Sequence, residues 1–189
     1  MPNLELLDFS GNNFTEPIPP AFGQLRKLQI LNLFSNFLGG TIPGFLGNLT
    51  NLLELNLALN LFESGPIPVE IGKLTKLRNL WLMECNLQGR IPVSIGDLRE
   101  LQLLDVSKNN LTGPWPRNFN RLRKLVSLQL YQNKLEGEIP KNIGTMALEF
   151  FDASDNMLSG ILPKGLDNLT RLKSLNLFEN RLSSEIPAC

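Results

Sequence analysis

Eight leucines, Leu4, Leu28, Leu52, Leu77, Leu101, Leu125, Leu148 and Leu172, each open the same phrase, at successive steps of 24, 24, 25, 24, 24, 23 and 24 positions. Each phrase runs through a leucine-rich stretch, an asparagine, and an apolar residue followed by proline, such as Ile18-Pro19. Recurrence at so regular a step restricts the chain to stacked copies of one supersecondary unit. One copy cannot bury its own apolar face, so neighbours must cover one another.

The leading part of a unit reads L-x-x-L-x-L-x-x-N-x-L, as in Leu28, Leu31, Leu33, Asn36 and Leu38, or Leu52, Leu55, Leu57, Asn60 and Phe62. Phe9, Val106, Phe151 and Ala153 stand in for leucine in other units. A period of about 20–29 residues with this spacing marks a leucine-rich repeat. The expected fold is a leucine-rich repeat solenoid, a right-handed coil with a parallel β-sheet on its concave face. Side chains alternate along a strand, so Leu31 and Leu33 point into the coil while Ile30, Asn32 and Phe34 point out. The asparagines at 12, 36, 60, 109, 133, 156 and 180 form a ladder whose amides satisfy backbone groups where the chain leaves the sheet. Cys85 holds that place in the fourth unit, as a weak thiol donor.

The second part of a unit reads L-x-G-x-I-P, as in Leu38-Gly39-Gly40-Thr41-Ile42-Pro43 and Leu135-Glu136-Gly137-Glu138-Ile139-Pro140. Glycine permits a bend there and proline ends hydrogen-bonded pairing. The segment after the proline, for example Gly44-Phe45-Leu46-Gly47-Asn48-Leu49, is too short and glycine-rich for a long helix. A convex side of short 3₁₀ or irregular turns is expected.

The repeat phase runs unbroken to Pro187, which predicts one array of eight repeats over residues 1–189. No paired-cysteine caps, transmembrane helix or kinase segment is expected in it, nor a signal peptide, since Met1-Pro2-Asn3 leads straight into the first repeat. Lys+Arg and Asp+Glu both number 18, without the basic excess of a nucleic-acid binder. Cys85 and Cys189 stand too far apart in the stack to be bridged. N-x-[S/T] acceptor sequences at Asn13, Asn48, Asn110 and Asn168 point to a glycosylated, secreted environment.

The phrase Ile91-Pro92-Val93-Ser94-Ile95-Gly96-Asp97-Leu98 resembles the plant-specific class of leucine-rich repeats, which builds the ectodomains of plant receptor-like kinases. Leu80-Trp81-Leu82-Met83-Glu84-Cys85-Asn86-Leu87, Phe151-Asp152-Ala153-Ser154-Asp155-Asn156 and Leu175-Asn176-Leu177-Phe178-Glu179-Asn180 are similar to repeats of the HAESA and HAESA-like receptors, as is the extra residue within Asn60–Pro68. The resemblance implies an internal portion of a plant cell-surface receptor that holds a secreted, hydroxyproline-containing peptide on its concave face. A leucine-rich repeat co-receptor kinase would complete the complex at the extracellular face of the plasma membrane. It also implies that Tyr131 and Ser154 fall in the repeats lining a hydroxyproline pocket. An arginine pair that captures the peptide's carboxylate in such receptors has no counterpart at the outward strand positions here. A soluble interaction or inhibitor protein of the polygalacturonase-inhibitor type remains a second reading.

With the leading leucine as first, the outward positions are the third, fifth, seventh and eighth. They carry Asp8, Glu54, Glu84, Asp105, Asp152, Asp155 and Glu179 against one base, Lys108, so the compensating positive charge lies elsewhere, at Arg26, Lys27, Lys73, Lys76, Arg117, Arg121, Arg123 and Lys124. An acidic concave face favours a cationic peptide. Phe34, Trp81, Tyr131, Phe150 and Phe178 also point outward, where the fold alone needs polar residues; such aromatics anchor ligands and suit proline rings. The predicted ligand-binding set is Phe34, Trp81, Met83, Asp105, Gln129, Tyr131, Asp152, Ser154, Asn176 and Phe178.

The absence of histidine excludes histidine-based triads and metal sites, and acidic pairs on a flat sheet lack a cleft to hold a sugar ring. No catalytic residue, metal ligand or cofactor is expected, and neither nucleic acid nor membrane insertion is among the expected interactions of this segment.

Overall fold

A computed structural model describes residues 1 and 3–183. Pro187 and Cys189, which bear on repeat phase and cysteine pairing, lie outside the described residues. The units opened by the eight leucines are numbered coils 1–8.

Each coil contributes one three-residue strand to an eight-stranded parallel sheet, from Leu6–Asp8 in coil 1 to Ser174–Asn176 in coil 8, in sequence order. Every neighbouring pair is in register with its equivalent: Asn56 faces Trp81, Trp81 faces Asp105, and Asp105 faces Gln129. The fixed spacing from each leading leucine to its strand produces this register, which is kept across the steps of 25 and 23 as well as those of 24, because each strand copies the hydrogen-bonding phase of the last.

The inward leucines form one continuous core, with Leu28, Leu31, Leu52, Leu55, Leu80, Leu104 and Leu128 fully buried. At about 1.5–3 kcal/mol per large apolar side chain, this burial offsets the ordering of the connecting turns. The ladder holds the turns that leave the sheet. Asn133 donates to Val106, Leu130 and Tyr131 carbonyls at 3.0, 3.1 and 3.3 Å, and its oxygen accepts from the Leu111 amide at 2.9 Å. One side chain thereby ties two coils. Cys85 donates from Sγ to the Leu57 and Met83 carbonyls at 3.2 and 3.6 Å but brings no amide oxygen to the rung. Burial pushes its thiol pKa up.

Ahead of each rung the eighth position takes a left-handed backbone, at Gly11 and then at Ser35, Leu59, Glu84, Lys108, Gln132, Asp155 and Glu179, with φ between 50° and 65°. The convex side is a stack of short 3₁₀ turns, among them Gly44–Asn48, Val69–Lys73 and Val93–Asp97. Glycine lets them approach closely: a Cβ on Gly72 would sit 2.6 Å from the Ser94 carbonyl oxygen. No helix of the described residues is long and apolar enough to cross a membrane.

The L-x-G-x-I-P phrase does more than bend. In coils 4–8 it forms a second parallel sheet of five strands, Gln88–Gly89, Asn110–Gly113, Lys134–Gly137, Met157–Gly160 and Arg181–Leu182. Pairing ends near the glycine and proline, but the residues before them are themselves a ladder.

Candidate functional site

The concave sheet presents its outward side chains as rows that run along the solenoid. The fifth-position row reads Asp8, Asn32, Asn56, Trp81, Asp105, Gln129, Asp152, Asn176 in unbroken register. The seventh-position row, beside it, alternates in size: Phe34, Ala58, Met83, Ser107, Tyr131, Ser154, Phe178. Ala58, Ser107 and Ser154 are buried while Phe34 and Phe178 are exposed and Met83 and Tyr131 half-buried. In the middle of the row, large side chains of alternate coils meet over the small residue between them. Tyr131 shows this directly, its hydroxyl reaching Met83 Sδ at 3.7 Å across the coil that carries Ser107.

Asp and Ser two residues apart link the rows in coils 1, 5 and 7. Asp105 Oδ1 accepts from the Ser107 amide at 3.0 Å and its hydroxyl at 2.5 Å. Asp152 holds Ser154 in the same way at 2.9 and 2.6 Å, and Asp8 holds Ser10 at 2.9 and 2.7 Å. The second oxygens differ. Asp8 Oδ2 accepts from Asn32 Nδ2 and Asp152 Oδ2 from Asn176 Nδ2, both at 3.0 Å. The neighbour of Asp105 in the next coil is Gln129, whose Nε2 donates instead to Ser127 Oγ at 3.1 Å. Among the described residues Asp105 Oδ2 therefore keeps its acceptor capacity, in a carboxylate whose burial raises its pKa. At Asp8 the Ser10 bonds, both in the open, lower the pKa.

The structure thus gathers Trp81, Met83, Asp105, Gln129 and Tyr131 over coils 4–6, with Ser107 beneath them. Asp152, Ser154, Asn176 and Phe178 continue the rows through coils 7 and 8. Ser154 is 3% exposed and its hydroxyl is committed to Asp152, so it presents no free donor to the surface. Phe34 stands two coils from Trp81, and Phe150 lies one row away, 5.8 Å from Lys173 Nζ. The size alternation and the Asp-x-Ser pairs are visible in the sequence once residues are read down the coils, yet a reading along the chain overlooks Ser107. The four acceptor asparagines, Asn13, Asn48, Asn110 and Asn168, are all exposed, Asn48 and Asn168 at the ends of 3₁₀ turns.

Residues 69–187 match the family described as a leucine-rich repeat region, and residues 3–25 and 27–49 match the leucine-rich repeat itself. Among curated proteins of Arabidopsis thaliana, the receptor protein-tyrosine kinase CEPR2 is 41% identical over 71 residues, 38% of this chain and 7% of that protein. Receptor-like protein 39 is 46% identical over 68 residues, 35% of this chain and 8% of its own length. The Arabidopsis receptor kinase HAESA, solved in complex with the peptide hormone IDA and the co-receptor SERK1, superposes with a TM-score of 0.94 at 50% identity, over 96% of this chain and 30% of that one. The chain therefore spans under a third of HAESA and a smaller share of these curated relatives.

Proposed function

The chain belongs to the leucine-rich repeat family, in the form found in plant receptor kinase ectodomains, and on that premise we propose that it is part of the ligand-recognition surface of a receptor-like serine/threonine kinase. Its ligand is a secreted, cationic, hydroxyproline-containing peptide laid along the concave face. A leucine-rich repeat co-receptor kinase closes over it outside the plasma membrane. The eight repeats act as one array, and recognition rather than catalysis is the role of this segment.

One observation carries the reading: an acceptor oxygen of Asp105 is left open in the row it shares with Trp81, beside the row of the Met83–Tyr131 bridge. A carboxylate beside an aromatic face suits a cationic or hydroxyl-bearing group, and the half-buried rings offer rigid apolar walls to proline. The likeness to HAESA, itself seen with a peptide hormone, supports the same conclusion.

Calorimetric titration of the 189-residue chain with the IDA peptide and other hydroxyproline-bearing cationic peptides tests it. Binding should weaken by about tenfold or more in Trp81→Ala and in Tyr131→Ala, with unchanged circular dichroism. Heats indistinguishable from dilution for every such peptide would sink the proposal.

A further inference from the structure

The positive charge that balances the acidic concave face is concentrated on the leading flank, where each 3₁₀ turn passes into the next strand. Between residues 73 and 126 this flank carries Lys73, Lys76, Arg78, Arg99, Arg121, Arg123 and Lys124 against Asp97 and Glu100. Both acids are already engaged, Asp97 by Arg121 at 3.0 Å and Glu100 by Lys124 at 2.6 Å. Among the described residues no carboxylate lies within ion-pair distance of Lys73, Lys76, Arg78, Arg99 or Arg123.

Arg99 and Arg123 close the same turn in consecutive coils, their amides donating to the Asp97 and Arg121 carbonyls, each at 2.9 Å. With Arg121 and Asn120 they line an open hollow of about 330 Å³. Of the three arginines that line it, Arg121 is paired with Asp97, while Arg99 and Arg123 have no carboxylate within ion-pair distance among the described residues. We propose that this arginine-lined hollow and the basic flank running from it bind an acidic polysaccharide, a polymer of uronic acids lying along the solenoid axis.

Chemistry selects the polymer. A folded protein partner needs an apolar anchor at the centre of its interface, and the exposed large hydrophobic side chains nearest this stretch, Val69 and Val93, stand at the far ends of their 3₁₀ turns. Nucleic acid strands are held by aromatic stacking as well as charge, and the flank presents no aromatic ring among these basic residues. A linear uronate chain carries one carboxylate on every sugar of a stiff backbone, so it gives up less conformational freedom on binding than an extended acidic peptide, and the planar fork of arginine matches a carboxylate. The acceptor sequences of this flank, at Asn48 and Asn168, stand in coils 2 and 7, on either side of the patch rather than within it.

Affinity electrophoresis of the 189-residue chain through gels containing polygalacturonate, polyglutamate, dextran sulfate or neutral dextran tests the proposal. Retardation by polygalacturonate should exceed that by the others, weaken with added salt, and fall by roughly tenfold or more in Arg99→Glu/Arg123→Glu. Arg99→Lys/Arg123→Lys should keep part of it, and Glu54→Gln on the concave face should leave it unchanged. A melting temperature for each variant separates lost binding from lost folding. No retardation, stronger retardation by polyglutamate or dextran sulfate, or retardation untouched in the folded double glutamate variant would overturn the assignment.

Discussion

Coils 1–3 and coils 4–8 share one concave sheet and one core but differ along the edge that follows the asparagine ladder. From coil 4 onward, glycines at 89, 113, 137 and 160 take φ of 76° to 82° at equivalent places, and the chain before each pairs with the next coil as a strand. In coil 1 that place is held by Glu16 instead of glycine. In coil 3 an extra residue separates Phe62 from Gly65, and only an isolated bridge from Gly65 to Leu87 leads into the second sheet. Coil 2 has the glycine, Gly40 at φ 62°, but regular neighbours on neither side. A repeat that satisfies its own pattern still needs the adjacent repeat in phase before a ladder can form. The same stretch of edge leaves Phe14, Phe37 and Leu61 exposed, at 47%, 48% and 68%.

The comparison can be broken most severely at a regular rung. Asn133→Ala strips three donated bonds and one accepted bond from a buried turn, and should cost about 3 kcal/mol in denaturant unfolding. Cys85→Ala, in the coil where the second sheet begins, removes only weak thiol donors and should cost about 1 kcal/mol. Equal losses at both positions would show that the amide rung carries no special weight.

Backbone handedness provides the next test. At Gly137 a Cβ meets only Pro114, at an ordinary 3.5 Å, so Gly137→Ala reports the cost of a positive φ almost alone. About 1–2 kcal/mol should be lost, with amide exchange accelerating first in residues 134–137. Deleting Ser64 restores the phrase as Phe-Glu-Gly-Pro-Ile-Pro and should extend the second sheet into coil 3, read as slower exchange of the Leu61 and Asn86 amides, the equivalents of the Asn110 amide that donates to the Leu87 carbonyl at 2.7 Å. Unchanged exchange would mean that the insertion does not set the boundary.

Asp105 lets the site be separated from the scaffold. Its folded pKa is raised by burial, so the folded state holds its proton more tightly than the unfolded state. The stability contributed by this group is therefore present below its unfolded pKa and lost as pH rises through its folded one. Asp105→Asn should abolish that component, leave neutral-pH stability equal or higher by up to about 1 kcal/mol, and weaken binding of cationic peptides. A variant that is clearly destabilised at neutral pH while binding peptide normally would make Asp105 a structural residue. The smallest effect is expected at Leu59, a γ-branched residue at φ 56°, where Leu59→Gly should stabilise by up to about 1 kcal/mol.

The two-residue alternation and the repeat step determined the inward leucines, the strands and the asparagine rungs, because each answers a requirement repeated in every coil. Those needs are local and periodic, so a single pass along the chain displays them. The acidic outward face and its aromatic residues were equally legible. Which outward residues meet was not, since Tyr131 reaches Met83 across 48 residues and Gln129 turns to Ser127, leaving an Asp105 oxygen open. The second sheet is not legible along the chain for a related reason. Its strands need glycines that keep phase from one coil to the next, and it begins just past the extra residue in coil 3. Periodicity along the chain decides what each residue does within its coil; contact between coils, which only the assembled solenoid brings about, decides which neighbours share a surface.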